Sequence, residues 1–108
     1  MFNWPPKKKA PSGASDKPRL HVLVCDDERH MTRLIQVNLE RQGYKVTCAH
    51  GGKEAIDLLQ VGSFNIAILD PDMPEVNGYD VRNWIESHEE TKGMPVIMLD
   101  GKAGDWNF

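Results

Sequence analysis

No apolar run in this chain is long enough to cross a bilayer. Stretches such as Ile66-Ala67-Ile68-Leu69 fall far short of the roughly 20 residues a membrane helix needs. Lys7-Lys8-Lys9 near the N-terminus is followed by no apolar segment, so the start of the chain does not read as a secretory signal. Cysteine is scarce, at 2 residues, which excludes a disulfide framework and fits reduced thiols in a cytoplasmic setting. Aromatic residues make up only 7% of the chain. From residue 19 onward Lys and Arg are not clustered, which argues against the basic face that a nucleic-acid-binding protein needs. At 108 residues the length suits one small globular domain.

What is present is unevenly distributed. Residues 1–18 carry four lysines against Asp16, while residues 19–108 carry nine cations against 15 acids, so a basic leader precedes an acidic body. The leader also holds Pro5, Pro6, Pro11, Ser12, Gly13, Ser15 and Pro18, a composition that cannot bury a core and predicts disorder. It reads as a solubilising segment; Trp4 leaves open a docking arm for an acidic surface or membrane.

From Arg19 on, two periodicities alternate. His21-Val22-Leu23-Val24-Cys25, Ile66-Ala67-Ile68-Leu69 and Val96-Ile97-Met98-Leu99 are short, nearly continuous apolar runs, as expected of strands covered on both faces. In 44–49, Tyr44, Val46 and Cys48 alternate with Lys45 and Thr47, which predicts an edge strand. Met31, Leu34, Ile35 and Leu39 form one helical stripe ended by Gly43, and Ala55, Ile56, Leu58 and Leu59 form a second ended by Gly62. A third helix is expected to open after Asn77-Gly78, bury Val81, Trp84, Ile85 and His88, and end near Lys92-Gly93 before Pro95. The order β-α-β-α-β-α-β predicts an α/β fold with a parallel sheet and helices on both faces.

Ligands of such sheets bind beyond the carboxyl ends of the strands, where strand order reverses. Asp26, Asp27 and Glu28 follow the first strand, Asp70 and Asp72 the third, and Asp100 the fourth. Carboxylates gathered at one rim repel one another by up to about 4 kcal/mol per close pair at an effective dielectric near 20. A hard divalent cation such as Mg²⁺ offsets that repulsion. The plainer role for any one of these acids is a helix cap or a solvated turn.

The segments Val22-Leu23-Val24-Cys25-Asp26-Asp27-Glu28, Ile68-Leu69-Asp70-Pro71-Asp72-Met73-Pro74, Asn77-Gly78 and Pro95-Val96-Ile97-Met98-Leu99 resemble the receiver domain of two-component response regulators, from Arg19 to about Lys102. The resemblance implies a flavodoxin-like sheet of order 2-1-3-4. It implies that Asp70 accepts a phosphoryl group from a sensor histidine kinase or phosphotransfer protein. It also implies Mg²⁺ held by Asp27 and Asp70, by Asp26 through water, and by the backbone carbonyl of Asp72. A metal ion can neutralise the attacking carboxylate and the phosphoryl group together, and Met73 before Pro74 favours an extended, stiff loop.

Two features depart from the family. Its Thr or Ser at the end of the fourth strand is replaced by Asp100, which when ionised accepts hydrogen bonds but cannot donate them. Its last strand, carrying a Lys, and its last helix are expected to be missing, and Lys102 matches no motif. An uncovered fourth strand would then favour self-association. Three readings follow: a fragment, a non-phosphorylated receiver kept as an interaction module, or a domain completed by another chain. A further alternative is a haloacid-dehalogenase-like phosphatase, because Asp70-Pro71-Asp72 after a strand also resembles that family's signature. Cys25 and Cys48 read as small core residues. His21, His30, His50 and His88 lack metal-ligand spacing and read as surface or helix-face residues. Gly51-Gly52 reads as a turn rather than a phosphate loop.

Overall fold

A computed structural model describes residues 19–99. The expectations for the basic leader, Asp100 and Lys102 lie outside these residues. The elements are β1 (His21–Cys25), α1 (Arg29–Arg41), β2 (Lys45–Ala49), α2 (Gly52–Val61), β3 (Ile66–Leu69), α3 (Gly78–Ser87) and β4 (Val96–Met98). The strands form one parallel sheet in the order β2-β1-β3-β4, so β2 is the edge strand its alternation predicts.

Successive side chains of a strand point to opposite faces, and the two buried clusters follow that rule. Val22, Val24, Ile66 and Ile68 pack with Ile35 and Leu39 of α1. Leu23, Cys25, Ala67 and Leu69 pack with Ala55 and Leu59 of α2 and Val81 and Ile85 of α3. Continuous apolar strands are therefore needed, since a polar residue at any of these positions would face a helix. Full burial of each large aliphatic side chain stabilises by about 1.5–3 kcal/mol.

The buried stripe of α1 runs through Thr32, Ile35 and Leu39 rather than through Leu34, which is 54% exposed. Thr32 can be buried because its hydroxyl donates to the Arg29 carbonyl at 3.0 Å, leaving no unpaired polar group inside. The third helix stops at Ser87, one turn and more before the expected Lys92-Gly93 end. Its final carbonyls are taken by side chains. His88 Nδ1 lies 2.6 Å from the Trp84 carbonyl oxygen, and the Thr91 hydroxyl donates to the Ile85 carbonyl at 2.8 Å. These bonds compete with helix propagation and turn the chain toward β4. His88 and Trp84 are only half-buried and stack on each other, with ring centroids 3.8 Å apart.

Candidate functional site: an acidic cluster at the strand ends

The sheet register brings the acids together. Cys25 of β1 pairs with Leu69 of β3, so the next residue of each strand, Asp26 and Asp70, emerges side by side. The ladder extends one step further on both sides of β1. Asp70 N–H donates to the Cys25 carbonyl at 2.9 Å, and Asp26 N–H donates to the Ala49 carbonyl at 3.1 Å. The backbone is thus fixed up to the carboxylates, at the point where β1 is flanked by β2 and β3 and the strand order reverses.

Both loops leave the sheet by the same device. Asp26 Oδ1 accepts the Glu28 N–H at 2.9 Å, and Asp70 Oδ1 accepts the Asp72 N–H at 3.0 Å. Each is an Asx turn that uses a short acidic side chain to bend its own backbone. After the first, Glu28 caps α1 by accepting the His30 N–H. After the second, Pro71 and Met73 turn inward and are buried, with Met73 Sδ 3.5 Å from Cys25 Sγ. Val76 N–H then donates to the Pro74 carbonyl at 2.7 Å around Glu75, whose φ is 66°. This is a tight γ-turn with a left-handed non-glycine residue, a conformation that costs on the order of 1–3 kcal/mol.

Two close approaches hold that loop against the helices. A Cβ at Gly52, the first residue of α2, would stand 2.3 Å from the Val76 carbonyl oxygen. A Cβ at Gly78, the first residue of α3, would stand 2.3 Å from the Asp70 carbonyl oxygen. Asn77 and Asp80 exchange backbone N–H bonds in a capping box that starts α3 there. The Asn77-Gly78 pair therefore sets the position of Asp70 through backbone contact.

Oxygens of Asp26, Asp27 and Asp70 lie within 4.8 Å of one another. Asp26 is buried, Asp70 half-buried and Asp27 exposed. Among the described residues, no Lys, Arg or His forms an ion pair with any of them. Burial, opposed by the Glu28 N–H bond and reinforced by Asp70 and Asp27, pushes the Asp26 carboxyl up to about 7. Burial, with Asp26 next, also pushes the Cys25 thiol beneath the cluster up to about 12, which keeps it protonated and unreactive. The Asp72 side chain is exposed and stands outside the cluster; its part here is the N–H that holds Asp70.

His21 differs from the surface or helix-face position its sequence suggested. It opens β1 half-buried, with Nδ1 2.8 Å from the Ser63 carbonyl oxygen and Nε2 2.7 Å from Thr47 Oγ1. Cys48, expected in the core, is only half-buried on the edge strand.

A doubly wound parallel sheet with three carboxylates at its switch point defines an acid-rimmed α/β domain. Residues 22–105 match the family described as "Response regulator receiver domain", and the chain belongs to that family. Response regulator SaeR of Staphylococcus aureus is 43% identical over 83 residues, which cover 77% of this chain and 35% of that protein. The chain thus spans about a third of the length of the curated relatives it matches. The N-terminal domain of a response regulator receiver protein from Methanoculleus marisnigri superposes with a TM-score of 0.72 at 29% identity, covering 76% of this chain and 67% of that one. Response regulator protein TrrA of Thermotoga maritima, solved in complex with Mg²⁺-BeF, gives 0.69 at 30% identity, covering 73% and 67%. The chain is therefore a receiver domain of the response-regulator type, as in two-component signalling. The family is a signalling domain rather than a classical enzyme. No helix among the described residues is long and apolar enough to cross a membrane.

Proposed function

We propose that Asp70 is the phosphoacceptor of this receiver and that the acidic cluster takes a Mg²⁺ ion to make that possible. The observation that carries this reading is the meeting of Asp26, Asp27 and Asp70 without a cation from the described protein to offset them. Hard oxygen donors with surplus negative charge fit a hard divalent ion. Asp27 and Asp70 would bind it directly, Asp26 through water, and Asp72 through its backbone carbonyl. When bound, the ion neutralises the carboxylate and phosphoryl charge at the moment they approach.

The chain's own residues do the positioning. The Asp72 N–H occupies Asp70 Oδ1, which leaves Oδ2 to attack phosphorus. The donor is a phosphohistidine on a sensor kinase or phosphotransfer protein in the cytoplasm. The new bond joins Asp70 oxygen to phosphorus, the phosphorus–nitrogen bond breaks, and the imidazole leaves with that electron pair and takes up a proton. In sequence Asp100 takes the place of the family's hydroxyl residue; a carboxylate there would have no hydrogen to donate to a phosphoryl group and would lower the extent of transfer.

Intact-mass measurement after exposure to a small phosphodonor tests this reading. The wild-type chain gains one phosphoryl group only when Mg²⁺ is present, and Asp70→Asn gains none. Equal modification of Asp70→Asn overturns the assignment of the acceptor. Calorimetry checks the ion independently: Asp27→Asn and Asp70→Asn each weaken Mg²⁺ binding by about tenfold or more, the effect of losing about 1.4 kcal/mol.

A further inference from the structure

At the end of the sheet opposite the acids, the C-terminal ends of α2 and α3 enclose a groove of about 520 Å³. Its walls include Leu59, Val61, Phe64, Trp84, His88 and Glu90. The volume lies in the range of ligand-binding clefts, and the lining is more polar than apolar, with the Phe64 and Trp84 rings set among Gln60, Ser63, Glu90 and Thr91. Val61 stands 84% exposed at this groove, and the Trp84–His88 stack forms a flat aromatic wall. Among the neighbouring acids, Glu86 is matched by Arg82 and Glu89 by Lys92, whereas Glu90 has no ion pair among the described residues.

The residues that precede β1 have the complementary chemistry. Trp4-Pro5-Pro6 followed by Lys7-Lys8-Lys9 joins an aromatic and two prolines to three positive charges. Aromatic-lined grooves accept proline-rich segments at low entropic cost, because such segments are already extended. The point of departure also fits. His21, the first residue of β1, touches both Ser63 and Phe64 of the groove wall, with its ring 4.3 Å from Phe64 and Nδ1 2.8 Å from the Ser63 carbonyl oxygen. Trp4 lies 17 residues before His21, a length of chain that as coil would have a root-mean-square reach of about 20–25 Å. A tether of that length gives an effective local concentration in the mM range.

We propose that the N-terminal segment of this same chain docks in the groove between α2 and α3, with Trp4-Pro5-Pro6 on the Val61–Phe64–Trp84 surface and Lys7-Lys8-Lys9 facing Glu90. Nuclear magnetic resonance of the full chain tests it. Replacing Trp4 by Ala shifts the amides of Phe64 and Thr91 and the indole signal of Trp84, while those of Asp26 and Asp70 stay in place. The shifts persist on tenfold dilution. They shrink at least twofold in Glu90→Gln, or in about 0.5 M salt, where charges are screened within a few ångströms. Changes confined to the neighbours of residue 4 overturn the proposal. So does loss of the changes on dilution, which assigns the groove to a second copy. A response to Trp106→Ala but not to Trp4→Ala also overturns it and assigns the groove to the other end of the chain.

Discussion

The carbonyl oxygen of Asp70 and the α-carbon of Gly78 are in such close contact that a methyl group on Gly78 would stand 2.3 Å from that oxygen. The start of α3 therefore rests on the backbone of the proposed acceptor.

Gly78→Ala should reverse the usual sign of a Gly→Ala change in a helix, which normally stabilises by about 0.5–1 kcal/mol. Here the backbone must move, and overpacking of this kind costs about 1–3 kcal/mol. Thermal unfolding checks the loss, and calorimetry checks an accompanying fall in Mg²⁺ affinity as Asp70 shifts. Gly93→Ala is the control, because nothing stands within 4 Å of its Cβ position; it should be neutral.

Asp26 gives a dependence on pH. Its folded value, raised to about 7 by burial and then by its neighbours, exceeds the ordinary carboxyl value near 3.9. Between those limits the folded protein binds more protons than the unfolded chain, so stability falls as pH rises. Asp26→Asn removes that loss and should stabilise the metal-free domain above pH 7 by on the order of 1–2 kcal/mol, less near pH 4. Added Mg²⁺ should raise the melting temperature of the wild type more than that of the variant. A metal-free variant that melts no higher than the wild type at pH 8 contradicts the argument.

Asn77→Ala removes the side chain that accepts the Asp80 N–H at 2.9 Å. Loss of an N-cap of this kind costs about 1 kcal/mol. Denaturant titration should show an earlier midpoint without a change of slope, since the same surface is exposed on unfolding. Asn77→Ser should recover most of the loss.

Asp100→Thr should raise the extent of phosphorylation by a small phosphodonor, by about tenfold for each 1.4 kcal/mol of repulsion relieved. Mg²⁺ affinity should stay the same or fall slightly, since a carboxylate is removed. Unchanged phosphorylation with intact Mg²⁺ binding would show that Asp100 is not the obstacle.

The sheet was legible because its code is simple: continuous apolar runs separated by helical stripes leave few topologies, and order β2-β1-β3-β4 is among them. The meeting of Asp26, Asp27 and Asp70 was legible for the same reason, since strand ends converge in this fold. Contacts that depend on three-dimensional fit were not. Nothing in the residues around Gly52 announces that a carbonyl from Val76 will press against it. Thr32 looks like a surface residue until its hydroxyl is seen to be satisfied within its own helix turn. The end of α3 was misplaced because His88 and Thr91 cap carbonyls, a competition that apolar periodicity does not register.

Asp26 and Asp70 are separated by 44 positions in sequence, yet they become neighbours once β1 pairs with β3. In the unfolded chain these charges are far apart and repel little, so their mutual repulsion is felt only after the central strands have joined. An ion that binds between them recognises a completed ladder, and its benefit should appear chiefly as slower unfolding rather than faster folding. With the proposed ion, the acidic rim would give the domain an adjustable lifetime: the native ladder would break more readily in the bare state and be retained longer in the loaded one.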